Sequence, residues 1–182
     1  KQGFEAIYSS GAGIINGLTG YPDIALLGVE EVARAVTYIA NAVRVPAVCD
    51  ADTGFGEALQ VMRTVQVFEA AGVAGLHLED QVMPKRCGHL EGKRLVSSID
   101  MERKLAAAVE ARSNPDLLLI ARTDARAVEG FEASVARGLR YAAAGADAIF
   151  IAALATEEAF GRYAERVQVP LLANTTEFGQ AP

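Results

Sequence analysis

Five carboxylates follow short apolar runs of the sequence, and together they could hold a metal ion. They are Asp50, Asp52, Glu79, Asp80 and Asp124. Acidic oxygens that converge on one site repel one another unless a hard cation or buried protons offset their charge, and Mg²⁺ or Mn²⁺ suits such oxygen ligands. A single carboxylate of this kind could instead cap the helix that follows it. That alternative is weaker for Asp50 and Asp52, because residues two apart lie on the same side of a strand.

A loop with a central cysteine is the second candidate. Residues 85–89 read Lys-Arg-Cys-Gly-His, and Pro84 and Gly88 favour a loop there. Basic neighbours favour a thiolate, so Cys87 could exchange a proton near neutral pH. A solvated charged loop with an incidental cysteine is the alternative, and local chemistry alone does not separate the two. The other cysteine, Cys49, ends an apolar run and is expected to be a small buried hydrophobe.

Two further features could bind a carboxylate. Arg122 ends an apolar run, where an unpaired guanidinium is costly, so a substrate carboxylate is an expected partner. An ion pair with Asp124 or another strand-end acid is the alternative. Residues 10–17 nearly match the dinucleotide fingerprint, but Asn16 stands at its third glycine position. We therefore predict a glycine-rich turn there, whose backbone amides hold a carboxylate or an oxyanion.

The elements that must position these residues alternate along the chain. Six apolar runs lie at residues 6–9, 46–49, 75–78, 117–120, 148–151 and 170–173. Because these runs lack polar alternation, they predict strands buried on both faces of a parallel sheet. Between them, apolar residues recur every three or four positions, as in helices with one buried face. Ser97 or Ser98 and Thr156 are placed to begin helices, and Gly72 and Gly145 to end them.

Repeated strand-to-loop units, with polar residues directly after the strand, predict a single α/β domain over residues 1–182. The segment around residues 70–76 resembles residues 143–149, and residues 43–56 resemble residues 167–179. Such units are typical of the catalytic face of a TIM-type (β/α)8 barrel, and an open doubly wound sheet is the competing architecture. A barrel of this kind has eight strands, so the six runs would make this one incomplete.

Composition excludes several classes of function. The 182 residues carry 17 Lys and Arg against 23 Asp and Glu, a net charge of −6, so neither nucleic acid nor a membrane surface is an expected partner. No apolar run reaches the length of a transmembrane helix, and the first residues do not resemble a signal peptide. Two cysteines are too few for a disulfide framework, which favours a reducing, cytoplasmic location.

Five motifs together resemble the isocitrate lyase/phosphoenolpyruvate mutase superfamily. The motifs are Asp-Ala-Asp-Thr-Gly-Phe-Gly at 50–56, His-Leu-Glu-Asp-Gln at 77–81, Lys-Arg-Cys-Gly-His at 85–89, Ala-Arg-Thr-Asp-Ala at 121–125 and Asn-Thr-Thr-Glu-Phe-Gly at 174–179. They lie in family order over essentially the whole chain, and the third is similar to the 2-methylisocitrate lyase branch. The resemblance implies a β/α barrel, here without its first and eighth strands, in a homo-oligomer that exchanges a C-terminal helix.

The resemblance also implies an activity and its cofactor. A carbon–carbon lyase would cleave a 2-hydroxy di- or tricarboxylate with Mg²⁺ or Mn²⁺, and 2-methylisocitrate, giving pyruvate and succinate, is the first candidate. Asp52 would bind the metal directly, Asp50 and Glu79 would hold it through water, and His77 would lie nearby. Cys87, on a mobile gating loop, would protonate the departing carbanion.

Further residues receive roles from the same resemblance. Lys85, Arg86 and His89 would support Cys87. The implied substrate-binding residues are Ser10, Gly11, Ala12, Asp23, Gly88, His89, Arg122, Asn174 and Thr176. Tyr8, Lys85, His89 and Arg122 would also take part in catalysis.

One position departs from the family pattern. Ala152 stands where the family carries a glutamate that organises metal-bound water. Two alternatives to the lyase stay open, the second of them because of Ala152. One is a relative that acts on 2,3-dimethylmalate, oxaloacetate or a phosphonate, and the other is an inactive barrel that only binds ligand.

Overall fold

A curled sheet of six parallel strands forms the centre of the molecule. The computed structural model describes residues 3–88, 90 and 92–175. Its strands are β1 (Ile7–Ser9), β2 (Ala47–Asp50), β3 (Gly75–Glu79), β4 (Leu118–Thr123), β5 (Ala148–Ile151) and β6 (Leu171–Leu172). Each strand pairs in parallel with the next one along the chain, in the order β1-β2-β3-β4-β5-β6. A doubly wound sheet would reverse its strand order part-way, so the prediction of a TIM-type barrel lacking some strands is confirmed.

Seven helices in the described part of the chain connect the strands. They are α1 (Gly11–Thr19), α2 (Val29–Ala42), α3 (Ala58–Ala70), α4 (Ser98–Ala111), α5 (Ala125–Val128), α6 (Phe131–Ala143) and α7 (Glu157–Ala164). The predicted helix starts are confirmed, because the side chains of Ser97 and Thr156 accept the first amide hydrogen bonds of α4 and α7. Gly72 and Gly145 adopt positive φ angles just after α3 and α6, as predicted for helix ends. None of the described helices is long and apolar enough to cross a membrane.

The glycine-rich segment after β1 is a helix, so the prediction of an open turn there is wrong. Ser10 caps α1 by accepting a hydrogen bond from the amide of Gly13 at 3.3 Å. Ile14 and Ile15 are buried in the core, and their packing offsets the poor helix propensity of the glycines. The amide of Gly11 donates to Oδ2 of Asp50 at 3.2 Å, so it holds a carboxylate of the protein itself.

The two faces of the sheet have different contents. The outer face packs against the helices, with Leu76, Leu78 and Ile149 among its fully buried side chains. The inner face carries a small apolar layer of Ile120, Ala148 and Phe150. Because side chains alternate along a strand, residues two positions away from this layer also point inward, and several of them are charged. These inner positions form the site described next.

Candidate active site

Strand register brings the charged residues of the inner face together. Asp50 of β2 pairs with His77 of β3, and Glu79 of β3 pairs with Arg122 of β4. All four are at most 9% exposed. Each of these two pairs joins an acidic residue to a basic one on the adjacent strand. Both pairs lie at the carboxyl ends of the strands, where barrel active sites lie.

A cavity of about 620 Å³ opens at this end of the sheet. Ten of the residues predicted from the sequence line it: Tyr8, Ser10, Ala12, Asp23, Asp50, His77, Cys87, Gly88, Arg122 and Asn174. Cys87 and Gly88 come from a loop after β3, whereas Arg122 comes from β4, so distant parts of the chain share one site. The volume suits a small molecule.

The remaining predicted residues fall into two groups. Gly11, Asp52, Glu79 and Lys85 do not line the cavity but contact residues that do or lie directly behind them. His89 and Thr176 lie outside the described residues, and their roles stay predictions. The sequence argument did not place Phe150, Leu172 or Ala173 in the site, although they form part of its wall.

His77 is held between two partners. Its Nδ1 contacts the hydroxyl of Tyr8, and its Nε2 lies 3.0 Å from Oδ1 of Asp50. Burial alone would raise the pKa of Asp50, but His77 holds that pKa well below its usual range. Burial, followed by the charge of Asp50, raises the pKa of Tyr8. The three side chains form a continuous chain of contacts that ends at the cavity wall.

Lys85 joins the cysteine loop to two carboxylates. Its Nζ lies 2.6 Å from Oδ1 of Asp23 and 2.7 Å from Oδ1 of Asp52, and the residue is only 2% exposed. Its carboxylate neighbours, Asp52 foremost, outweigh burial and raise the pKa of Lys85. Burial and the nearby charge of Asp50 raise the pKa of Asp52 to about 6. Lys85 therefore offsets part of a negative charge that would otherwise be costly to bury.

Arg122 is paired with protein carboxylates in this structure. Its guanidinium lies 3.3 Å from Oε2 of Glu79 and 3.1 Å from Oδ2 of Asp124, and it stacks over the ring of Phe150 at 5.0 Å. The ion pair that sequence reasoning gave as the alternative is thus present. Arg122 also lines the cavity, so the same cation can still face a substrate carboxylate.

Comparison with known proteins places this site in a family. The model of the family described as phosphoenolpyruvate phosphomutase matches residues 1–181. The chain belongs to this family.

Individual relatives within the family are close in sequence. The 2-methylisocitrate lyase of Aeropyrum pernix is 55% identical over 182 residues, which are 100% of this chain and 58% of that protein. The 2,3-dimethylmalate lyase of Eubacterium barkeri is 47% identical over 182 residues, covering 100% of this chain and 63% of that protein. The chain therefore spans about three fifths of the length of these curated relatives.

Solved structures agree with the fold. A crystal structure of 2,3-dimethylmalate lyase superposes with a TM-score of 0.95 at 38% identity, covering 99% of this chain and 61% of that one. A phosphonopyruvate hydrolase complexed with oxalate and Mg²⁺ superposes with a TM-score of 0.80 at 33% identity, covering 93% and 59%. The latter shows that a family barrel can hold the cation the carboxylates suggest.

The carboxylates of this family member fit a hard cation. Oε1 of Glu79 is buried without a hydrogen-bond partner, and burial raises the pKa of Glu79 well above its usual range despite Arg122. A divalent cation would favour the ionised form and satisfy such oxygens. Within residues 3–88, 90 and 92–175, no three His, Cys, Asp or Glu side chains are grouped to hold a metal ion.

Ala152 lies in the cavity wall, where the family resemblance implies a glutamate. Its amide donates to the carbonyl of Thr123 at 3.1 Å, and Phe150 and Leu172 line the same cavity. The methyl group adds no charge to a site that already holds several carboxylates. Phe150, Ala152 and Leu172 thus form an apolar wall that adjoins the polar wall of Asp50, His77 and Arg122, since Phe150 contacts both His77 and Arg122.

Sequence reasoning named Asp80 as a possible metal ligand, but it missed the layer of polar residues behind the site to which Asp80 belongs. Asp80 accepts hydrogen bonds from Oγ1 of Thr123 at 2.7 Å and from the hydroxyl of Tyr141 at 2.8 Å. Arg137 lies one helical turn before Tyr141 on α6 and donates to that hydroxyl at 2.9 Å. The sequence signal for this layer was the spacing of Arg137 and Tyr141, which lie four residues apart on a helix face that is otherwise buried.

Proposed function

We propose that the protein is a Mg²⁺-dependent carbon–carbon lyase that cleaves a 2-hydroxy di- or tricarboxylate. The observation that carries this proposal is one cavity lined by the thiol of Cys87, the guanidinium of Arg122 and the chain of Tyr8, His77 and Asp50. Relatives named 2-methylisocitrate lyase in Aeropyrum pernix, Shewanella oneidensis and Escherichia coli support 2-methylisocitrate as the substrate. Its cleavage yields pyruvate and succinate.

The polar wall would bind the charged groups of the substrate. Arg122 would pair with one carboxylate, and Asn174, which lines the same cavity, with another. The side chain of Ser10 and the backbone at Ala12 would contact the 2-oxo acid end. Because the adjoining apolar wall contains Phe150, Ala152 and Leu172, an alkyl substituent of the substrate would lie there.

Cleavage requires one proton to leave and another to arrive. The substrate hydroxyl would give its proton to the oxygen of Tyr8 as the phenolic proton moves to Nδ1 of His77, and Asp50 would stabilise the resulting imidazolium. The carbon–carbon bond then breaks to form a ketone and a carbanion next to a carboxylate. The thiol of Cys87 would protonate that carbanion. When bound near Asp52, Mg²⁺ supplies Lewis acidity to the hydroxyl and carboxylate oxygens of the substrate.

A comparison of substrates tests this assignment. The purified protein with Mg²⁺ is given 2-methylisocitrate, 2,3-dimethylmalate and oxaloacetate in parallel, and 2-oxo acid or oxalate release is followed. We expect the highest kcat/KM with 2-methylisocitrate. A higher kcat/KM with another of these acids would identify that acid as the substrate instead. Product release that persists unchanged in Cys87→Ser would show that Cys87 is not the proton donor. The homo-oligomer implied by the resemblance is tested on the same sample by sedimentation.

A further inference from the structure

A buried glutamine holds the backbone of the cysteine loop from below. Gln81 is 1% exposed, and its side-chain amide makes two hydrogen bonds to a single residue. Nε2 donates to the carbonyl of Arg86 at 2.9 Å, and Oε1 accepts from the amide of Arg86 at 3.0 Å. Arg86 directly precedes Cys87, so this pair of bonds fixes the chain one residue before the thiol.

Asp124 connects that glutamine to the cavity. Its Oδ2 accepts from Nε2 of Gln81 at 3.3 Å and from Nε of Arg122 at 3.1 Å. Its Oδ1 lies 3.2 Å from Nζ of Lys93, which also donates to the carbonyl of Gly88. Asp124 is 0% exposed, so these contacts are not weakened by solvent. One carboxylate therefore holds both limbs of the loop and the substrate-facing arginine.

The base of the loop is closed independently of these side chains. Gln81 and Leu95 form an antiparallel bridge, and the amide of Val82 donates to the carbonyl of Arg94 at 2.8 Å. Losing the amide of Gln81 would leave this bridge intact. Only the part of the loop near Cys87 would then gain freedom.

We propose that Gln81 is a positioning residue that, with Lys93 and through Asp124, sets the place of the Cys87 thiol over the cavity. Only the effect of this positioning on catalysis rests on the proposed function, in which Cys87 is the proton donor. Position itself can be measured without turnover, because the described structure has two free cysteines in contrasting places. Cys87 is partly exposed, whereas Cys49 is buried and 0% exposed.

The test is alkylation of the purified protein by iodoacetamide, with peptide mass spectrometry reporting Cys87 and Cys49 separately. Rates are taken at their alkaline plateau, so that they report access rather than ionisation. Gln81→Met keeps the length of the side chain and removes its hydrogen bonds. Gln66→Met makes the same change at an exposed position of α3 and serves as the control.

We expect Cys87 in Gln81→Met to react about tenfold faster than in the wild type, the effect of losing two ordinary hydrogen bonds that favour the held position. Cys49 should stay unreactive, and Gln66→Met should match the wild type. Lys93→Met, which removes the tether on the other limb, should also speed the reaction of Cys87 and provides the test if Gln81→Met does not fold. An unchanged Cys87 rate in both variants, or reaction of Cys49 together with Cys87, would overturn the proposal.

Turnover gives a second readout, which can fail while the positioning role of Gln81 holds. If Cys87 is the proton donor, Gln81→Met should lower kcat by about tenfold and leave KM within about twofold, because no residue proposed to bind a substrate carboxylate is replaced and Arg122 keeps its contacts with Glu79 and Asp124. Faster alkylation without a loss of kcat would keep the positioning role and remove the catalytic one.

Discussion

The ammonium group of Lys85 lies 2.7 Å from a carboxylate oxygen of Asp52 and 2.6 Å from one of Asp23. Lys85 belongs to the loop that carries Cys87, whereas Asp52 follows β2 at the proposed metal site. The buried ammonium of Lys85 therefore connects the loop of Cys87, the expected proton donor, to Asp52, the expected Mg²⁺ ligand. Charge at the metal site and the position of the loop are linked through this pair.

The first prediction concerns metal binding. Mg²⁺ should raise the unfolding temperature of the wild-type protein, since a ligand at about 100 times its Kd stabilises the folded state by about 2.7 kcal/mol. Asp52→Ala should abolish that increase, because it removes the proposed direct ligand. Asp116→Ala, at an exposed aspartate, is the matched control and should keep it. Equal stabilisation of Asp52→Ala and the wild type in a thermal melt would place the metal elsewhere.

The second prediction concerns acid stability. Burial would raise the pKa of Asp124, but Arg122 and Lys93 lower it below its usual range. A carboxylate with a depressed pKa contributes stability above its unfolded pKa, near 4, and loses that contribution as pH falls through the folded value. Asp124→Asn should therefore cost on the order of 2 kcal/mol at pH 7 and less at pH 3.

Urea unfolding at the two pH values measures the effect of Asp124→Asn, with Asp116→Asn as the exposed control. A difference between wild type and Asp124→Asn that is as large at pH 3 as at pH 7 would mean that the ionised carboxylate does not stabilise this site.

The third prediction uses the close approach of the loop to Arg122. A Cβ atom at Gly88 would lie 2.9 Å from NH2 of Arg122, and that guanidinium is already held by Glu79 and Asp124. Gly88→Ala should push the loop or the arginine away and lower kcat/KM by about tenfold, a loss of about 1.4 kcal/mol. Gly161→Ala is the control, because nothing lies within 4 Å of a Cβ at that helical glycine. Unaltered kinetics in Gly88→Ala would show that the two groups do not constrain each other.

The fourth prediction concerns the residue that departs from the family pattern. Ala152→Glu would add a carboxylate to the apolar wall of the cavity, where it could organise water around a bound metal. We expect kcat with Mg²⁺ to rise severalfold. Ala155→Glu, at an exposed alanine three residues on, should change nothing. If Ala152→Glu brings no gain in activity measured beside that control, other residues already compensate for the missing glutamate.

The fold could be predicted largely from the sequence because its strands are buried on both faces. Such strands read as continuous apolar runs, and the runs at residues 75–78 and 148–151 coincide with β3 and β5 within one residue. The segment from Gly11 to Thr19 could not be predicted in this way. Its glycines favour a turn locally, whereas the burial of Ile14 and Ile15, a tertiary effect, makes it a helix.

The candidate site also has a part that could be predicted from the sequence and a part that could not. Side chains at strand ends, such as Asp50 and Arg122, could be placed from the sequence, since parallel strands end at one edge of a sheet. Contacts made by the loop after β3 could not be placed in this way, because the contact between Lys85 and Asp23 depends on how a long loop crosses the barrel mouth. For the same reason the role of Gln81 became visible only in three dimensions.

The most direct test of the central claim is pyruvate release from 2-methylisocitrate by the purified protein, in Mg²⁺ and in excess chelator. Wild type and Cys87→Ser are compared, and circular dichroism verifies that both are folded. A metal-dependent carbon–carbon lyase predicts pyruvate only from the wild type with Mg²⁺, with release falling by at least about 100-fold on chelation or on Cys87→Ser. No pyruvate from the folded wild type with Mg²⁺, or release that is the same in chelator, would contradict it.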